Sequence, residues 1–172
     1  WGLAGLGDVD GDGYGDVGIG AYGYNSFMGQ VQVFRGNATG LDATPAWTLS
    51  GEQPNDWFGH ALAGGDVNGD GFADLLVGAP SYSGDGVGEG GRTYLYMGGN
   101  GTLDTAPSWT QTGGSDMELV GYSVDVAGDL NGDGFQDILV GAKGYSLNTG
   151  RADLYLGGAG GPSLSPDWTT TG

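Results

Sequence analysis

Three copies of an acidic loop hold the residues of this chain that are best suited to chemistry. Each copy reads DxDGDGxxD or DxNGDGxxD, with oxygen-bearing side chains at its first, third, fifth and ninth positions. Such oxygens, spaced by glycines that allow a sharp turn, form a cage suited to a hard cation the size of Ca²⁺. We therefore predict three structural Ca²⁺ sites. Their side-chain ligands are Asp8, Asp10, Asp12 and Asp16, then Asp66, Asn68, Asp70 and Asp74, then Asp129, Asn131, Asp133 and Asp137.

The seventh position of each loop is aromatic, and we predict that its backbone carbonyl is a further ligand while its ring packs elsewhere. These residues are Tyr14, Phe72 and Phe135. An EF-hand is excluded, because it needs a glutamate at position twelve, where each loop has a branched aliphatic residue. A metal-free turn held by Asx hydrogen bonds is the alternative. The recurrence of acids at positions one, five and nine favours the cation cage.

The first loop differs from the others because it has Asp10 where they have asparagine. We predict that it binds Ca²⁺ most tightly, since it carries one more negative charge, and that Asp10→Asn weakens binding. Asp70→Ala in the second loop should cost more, because it removes a ligand altogether.

The loops belong to a longer repeat of about sixty residues. Each loop is followed by an apolar stretch ending in Gly-Ala, then by a segment with alternating apolar positions, then by Pro-x-Trp-Thr. Alternation with period two indicates strands with one buried face. Four strands per repeat without helical periodicity predict an all-β fold of three four-stranded propeller blades. The predicted units are 1–51, with a shortened inner strand, 52–113 and 114–172.

The second unit resembles the FG-GAP repeats of integrin alpha-subunit propellers. It has Phe58-Gly59, then the acidic loop, then Gly78-Ala79-Pro80. The third unit has Val120-Gly121 and Gly141-Ala142-Lys143, and the first has Gly20-Ala21-Tyr22. The resemblance covers essentially the whole chain and implies a propeller with Ca²⁺-bearing hairpin loops on one face. It does not by itself imply an adhesion function.

Charge and composition exclude several classes of partner. The net charge is −17, with only four Lys and Arg residues among 172. We therefore expect no nucleic-acid binding, and no apolar run is long enough to predict membrane insertion. The lack of cysteine excludes disulfides and thiolate chemistry. Weak oxygen cages are useful where Ca²⁺ is abundant, which predicts a secreted or cell-surface location.

We predict that the chain is not an enzyme. His60 is its only histidine, and the equivalent position of the third unit is Tyr122, so we interpret this position as structural. The loop acids are committed to metal. Four acids outside the loops lie in Gly-rich connections and are expected to be solvated; they are Asp56, Asp85, Glu89 and Glu118.

Four aromatic residues near the signature could bind a sugar or a protein, or could pack between blades. They are Tyr22, Trp57, Tyr82 and Tyr145. Three blades cannot close an ordinary propeller ring. A second copy joined head to tail, or further repeats of a longer chain, would complete it, so we expect self-association or a complex. The open functions are an adhesion or recognition module, an accessory domain of a secreted enzyme, and a self-assembling segment.

Overall fold

In the computed structural model, which describes residues 1–84 and 86–172, three four-stranded antiparallel sheets follow one another along the chain. In each sheet the strands are adjacent in chain order, so that every sheet is a meander. This architecture confirms the predicted all-β fold of propeller blades, and we call the sheets blades 1, 2 and 3.

The strands of each blade are joined by hairpins and short turns. In blades 1 and 2 the connection between the third and fourth strands of the sheet contains a separate two-stranded sheet. Blade 1 comprises β1 (Gly2–Gly7), β2 (Asp16–Gly20), α1 (Tyr24–Phe27), β3 (Gln30–Phe34), β4 (Gly36–Asn37), β5 (Gly40–Leu41) and β6 (Trp47–Ser50). Blade 2 comprises β7 (Ala61–Gly65), β8 (Asp74–Ala79), β9 (Arg92–Tyr96), β10 (Gly98–Gly99), β11 (Thr102–Leu103) and β12 (Trp109–Thr112). Blade 3 comprises β13 (Val120–Val126), β14 (Ile138–Ala142), α2 (Tyr145–Asn148), β15 (Arg151–Tyr155) and β16 (Trp168–Thr171).

Burial along the strands reflects the position of each blade. In β3 and β14 buried and partly buried residues alternate. All six residues of β8 are buried, because blade 2 has blade 1 on one face and blade 3 on the other. Strands covered on both faces lose the alternation of a half-buried strand.

The inner strand of blade 1 has six residues, between the five of β7 and the seven of β13. It pairs with β2 from Gly2, opposite Gly20, to Gly7, opposite Asp16. Its length does not set it apart from the other two inner strands, and the shortening of this strand stays a prediction.

Two single turns, α1 and α2, lead from the second strand to the third in blades 1 and 3. Both contain residues with left-handed backbone angles, such as Ser26 at φ 58° and Leu147 at φ 61°. Four-residue turns of this kind are too short to produce helical periodicity, which is why the sequence pattern did not predict them.

Two apolar clusters lie between the blades. One joins blades 1 and 2 around Phe58, whose ring meets those of Tyr94 and Tyr96 edge-on at centroid distances of 5.4 and 6.3 Å. The other joins blades 2 and 3 and includes Trp109 and Tyr155. Within the described residues the blades do not close a ring, because no further blade covers the outer faces of blades 1 and 3.

Candidate metal centre

The three acidic loops connect the first and second strands of their blades and therefore lie at the same end of the sheets. Neighbouring loops are in contact. The Ala73 N–H donates to the Asp8 carbonyl at 2.8 Å, and the Gln136 N–H donates to the Asp66 carbonyl at 3.3 Å. The loops thus form a connected row along one edge of the blades.

The position-seven rings pack on this row. The Phe72 ring lies against Gly11 of the preceding loop, and the Phe135 ring lies against Gly69. A Cβ at either glycine would meet the ring, and both glycines have positive φ, so the contact and the backbone each require glycine.

The first aspartate of each loop holds the turn together. Asp8 Oδ1 accepts the N–H groups of Gly11 and Asp12 at 2.7 and 3.1 Å, and Oδ2 accepts that of Gly13 at 2.8 Å. Asp66 and Asp129 accept the equivalent three bonds. These bonds, chiefly that from Gly134, lower the pKa of Asp129.

The ninth-position aspartate anchors each loop to its blade. Asp16 accepts the Val9 N–H at 2.9 Å and the Gly36 N–H at 2.8 Å. Asp74 and Asp137 make the same pair of bonds in their own blades. All three carboxylates are buried, and burial raises the pKa of Asp74 to about 6 against the opposing effect of its amide donors.

Positions three and five differ between the loops. Asp10 Oδ1 accepts the Asp12 N–H at 3.3 Å, and its Oδ2 lies 2.6 Å from Arg35 Nε. Asn68 Oδ1 and Asn131 Oδ1 accept the equivalent N–H groups of Asp70 and Asp133 at 3.0 and 2.9 Å. Unlike Asp10, each asparagine also donates from its amide nitrogen to the same aspartate, to Asp70 Oδ2 at 2.9 Å and to Asp133 Oδ2 at 2.8 Å.

Among the described residues, the first loop alone brings three carboxylates together. One oxygen each of Asp8, Asp10 and Asp16 lies within 4.8 Å of the others. Oxygens bound to one Ca²⁺ at 2.3 to 2.6 Å lie at most about 5.2 Å apart, so this spacing fits a calcium ion. A carboxylate oxygen can accept an amide bond and still bind a cation, so the hydrogen bonds of the loop are compatible with a metal.

Two carboxylates expected to be solvated are buried, so this prediction was wrong for Asp56 and Glu118. Asp56 accepts the N–H groups of Glu52 and Gln53 at 3.0 and 2.9 Å, and burial raises its pKa. Glu118 accepts those of Gly114 and Ser115 and pairs with Arg151 at 2.5 Å. Both stand two residues before Phe58 or Val120, a signal that sequence reasoning missed. Glu89 is exposed, and Asp85 lies outside the described residues.

His60 lies in an aromatic cluster at the other end of the sheets. Its ring centroid is 4.8 Å from that of Tyr122, 5.5 Å from that of Tyr22 and 6.0 Å from that of Trp57. Burial lowers the pKa of His60. Lys143 lies over the Tyr122 ring, with Nζ 4.4 Å from the ring centroid.

The other two aromatic candidates are packing residues. Tyr82 is buried, and the Arg92 guanidinium lies 3.9 Å from its ring centroid. The Arg151 guanidinium lies 4.6 Å from the centroid of the Tyr145 ring. Of the four aromatic residues singled out in the sequence, Tyr22 and Trp57 are the two that lie together in one partly exposed cluster.

Comparison with known proteins identifies similar repeats. A family model described as "FG-GAP repeat" matches residues 58–96 and 120–161. Integrin alpha-PS2 of Drosophila melanogaster is 35% identical over 170 residues, which cover 93% of this chain and 12% of that protein. Integrin alpha-7 of Mus musculus is 40% identical over 129 residues, or 74% of this chain and 11% of the relative.

A relative of another kind is also similar. Phosphatidylinositol-glycan-specific phospholipase D of Homo sapiens is 34% identical over 173 residues, which cover 92% of this chain and 20% of that protein. The chain thus spans between 11% and 20% of the length of these three relatives. In the part of the chain that the structure describes, no helix has the length and apolar character needed to cross a membrane.

Proposed function

Because the chain belongs to the FG-GAP repeat family, we propose that it is a Ca²⁺-stabilised β-propeller module and a non-catalytic recognition or adhesion scaffold of a secreted or cell-surface protein. The observation that carries this proposal is the convergence of Asp8, Asp10 and Asp16 in a loop that recurs in each blade.

The side chains at positions one, three, five and nine and the carbonyl at position seven of each loop would hold the ion. When bound, Ca²⁺ would supply the positive charge that offsets repulsion among three or four carboxylates. Asp16 also holds Gly36 in its own blade, and the Asp8 carbonyl holds Ala73 in the next. Ordering the loop therefore stabilises both the sheet and the contact between blades.

A protein or glycan ligand would have a free surface at the opposite end of the sheets. Tyr22, Trp57 and Tyr122 present partly exposed rings there, away from the acidic loops. Aromatic faces bind both sugars and apolar side chains. An accessory role beside a catalytic domain is the alternative, supported by the similarity to a phospholipase D.

The test is thermal unfolding of the purified chain in Ca²⁺ and in excess EDTA, with calorimetric titration of Ca²⁺. We expect Ca²⁺ to raise the midpoint, and Asp12→Ala to reduce both the rise and the number of bound ions, because it deletes the position-five ligand. Asp104→Ala is the matched control, since it removes the same charge from an exposed position outside the loops. Equal midpoints in Ca²⁺ and EDTA would overturn the proposal.

The outer face of blade 3 supports self-association as a second role. Leu130 is 57% exposed, whereas Val9 and Val67 at the equivalent positions of blades 1 and 2 are 0% exposed. Their carbonyls accept the N–H groups of Gly99 and Gly158 in the following blades. We propose that blade 1 of a second copy covers Leu130 in the same way.

A further inference from the structure

The carboxylate of Asp10 in the first loop has its own positively charged partner. Asp10 is only 5% exposed, and its Oδ2 lies 2.6 Å from Arg35 Nε. Its other oxygen accepts the Asp12 N–H. One of the four carboxylates of the first loop is therefore already paired with a cation within the protein.

The Arg35 guanidinium is fixed by two further contacts. Its Nη2 donates to the carbonyl of Gly101 in blade 2 at 3.2 Å, and the Gly101 N–H donates to the Asp10 carbonyl at 2.7 Å. The guanidinium also lies 4.6 Å from the centroid of the Trp47 ring. A planar guanidinium held on three sides keeps its charge beside Asp10, and it links the first loop to the next blade.

The same position can be compared in all three blades. Gly36, Gly98 and Gly157 each donate to the ninth-position aspartate of their blade, so the residues before them are equivalent. Those residues are Arg35, Met97 and Leu156. The position faces the third loop residue in blade 2 as well, where Asn68 Nδ2 lies 3.9 Å from Met97 Sδ. The cation thus occurs in the blade whose third loop residue is charged, and apolar residues accompany the asparagines.

We propose that Arg35 sets the Ca²⁺ affinity of the first loop by neutralising Asp10, so that this loop presents the same net charge as the other two. The inference rests on the proposed function, because it presumes that the loops bind Ca²⁺. It replaces the expectation, drawn from counting aspartates, that the first loop binds most tightly.

Arg35→Met tests the proposal, because methionine is the residue at this position in blade 2. We expect it to tighten Ca²⁺ binding at the first loop by about tenfold, since it removes a unit charge close to a divalent site that is partly screened by solvent. Arg35→Lys keeps the charge and should leave the affinity near that of the unchanged protein. Asp10→Asn with Arg35→Met recreates the pair found in blade 2 and should also return the affinity to that level.

The first loop can be observed separately because it alone has tyrosine at position seven. Bound Tb³⁺ emits when a neighbouring tyrosine is excited, and added Ca²⁺ displaces it. Tyr14→Phe should remove the Tb³⁺ signal of this loop and so confirms its origin. Competition of Ca²⁺ against that signal gives the affinity of the first loop in each variant.

Two outcomes separate the inference from the proposed function. If the Tyr14-dependent signal is present but Arg35→Met leaves the Ca²⁺ affinity unchanged or weaker, the role of Arg35 is wrong while calcium binding stands. If neither Tb³⁺ nor Ca²⁺ binds the unchanged protein, both proposals fail. Thermal unfolding is an independent readout: Arg35→Met should lower the midpoint more in EDTA than in Ca²⁺, because the unpaired Asp10 repels its neighbours only without metal.

Discussion

The aromatic surroundings of His60 make its charged form less favourable. Its ring contacts Tyr22, Trp57 and Tyr122, and burial among them lowers its pKa. Lys143 also opposes a positive charge on the ring. The fold therefore disfavours the charged form of His60.

This environment predicts a pH dependence of stability. The folded state binds a proton at His60 less well than the unfolded chain does. The stability that neutral His60 contributes is therefore present above pH 6.5, and it is lost as the pH falls through the lower pKa of the folded state. His60→Tyr introduces the residue type that blade 3 has at the equivalent position. It should remove a slope of the free energy of unfolding against pH of at most about 1.4 kcal/mol per pH unit. Chemical unfolding of both proteins across this range, in the same buffers, measures the difference. Parallel curves would contradict the prediction.

Neighbouring blades approach each other so closely that the second strands of blades 1 and 2 need glycine at the contact. A Cβ on Gly20 would meet the Gly59 carbonyl, and one on Gly78 would meet the Gly121 carbonyl. The equivalent Gly141 of blade 3 faces only residues of its own blade, the nearest being Ser123. The glycine of the Gly-Ala signature thus permits close contact between blades in blades 1 and 2, but among the described residues it has no such contact in blade 3.

Gly78→Ala should therefore destabilise the chain by about 1 to 3 kcal/mol, because the added methyl group forces two backbones apart. Gly141→Ala is the matched control and should cost less, since the hydroxyl of Ser123 can rotate away. Denaturant unfolding of both variants gives the two free energies. Equal losses would show that blade contact is not the cause.

The sequence predicted the strands well because loop, apolar strand, alternating strand and tryptophan recur in order. It could not predict the Asp10–Arg35 pair, since the two residues lie in different connections of blade 1 and meet only when that blade is folded. It also failed for Asp56 and Glu118, because a carboxylate in a Gly-rich connection looks solvated until its amide donors are known. The strands, which follow from the repeat, could be predicted from the sequence, whereas contacts between different elements could not. The ligand positions of the loops stay predictions.

Blade 3 has an exposed outer face, whereas the equivalent faces of blades 1 and 2 are buried against the next blade. Leu130 is exposed there, while its equivalents are enclosed by the next blade. Interfaces that repeat along a chain can continue between chains, and a head-to-tail contact between two copies joins six blades.

Leu130→Ser should reduce this association. Light scattering in Ca²⁺ should give a dimer mass for the unchanged chain and a mass nearer 17.3 kDa for the variant. Leu164→Ser is the control, because Leu164 is 89% exposed and follows Ser163, whose carbonyl accepts a hydrogen bond from Trp109 of blade 2. If the unchanged chain is a monomer at every concentration, a second copy does not cover Leu130.

The aromatic ring at position seven gives the row of loops a direction. Phe72 packs on the loop of blade 1 and Phe135 on the loop of blade 2, whereas no described atom lies within 4 Å of a Cβ added at Gly132 of the last loop. The first two loops are thus each supported by the blade that follows in the sequence. When a blade is duplicated, deleted or moved by circular permutation, the loop that loses or gains its support is therefore the one in the preceding blade, and the most protease-sensitive loop should always be that of the terminal blade.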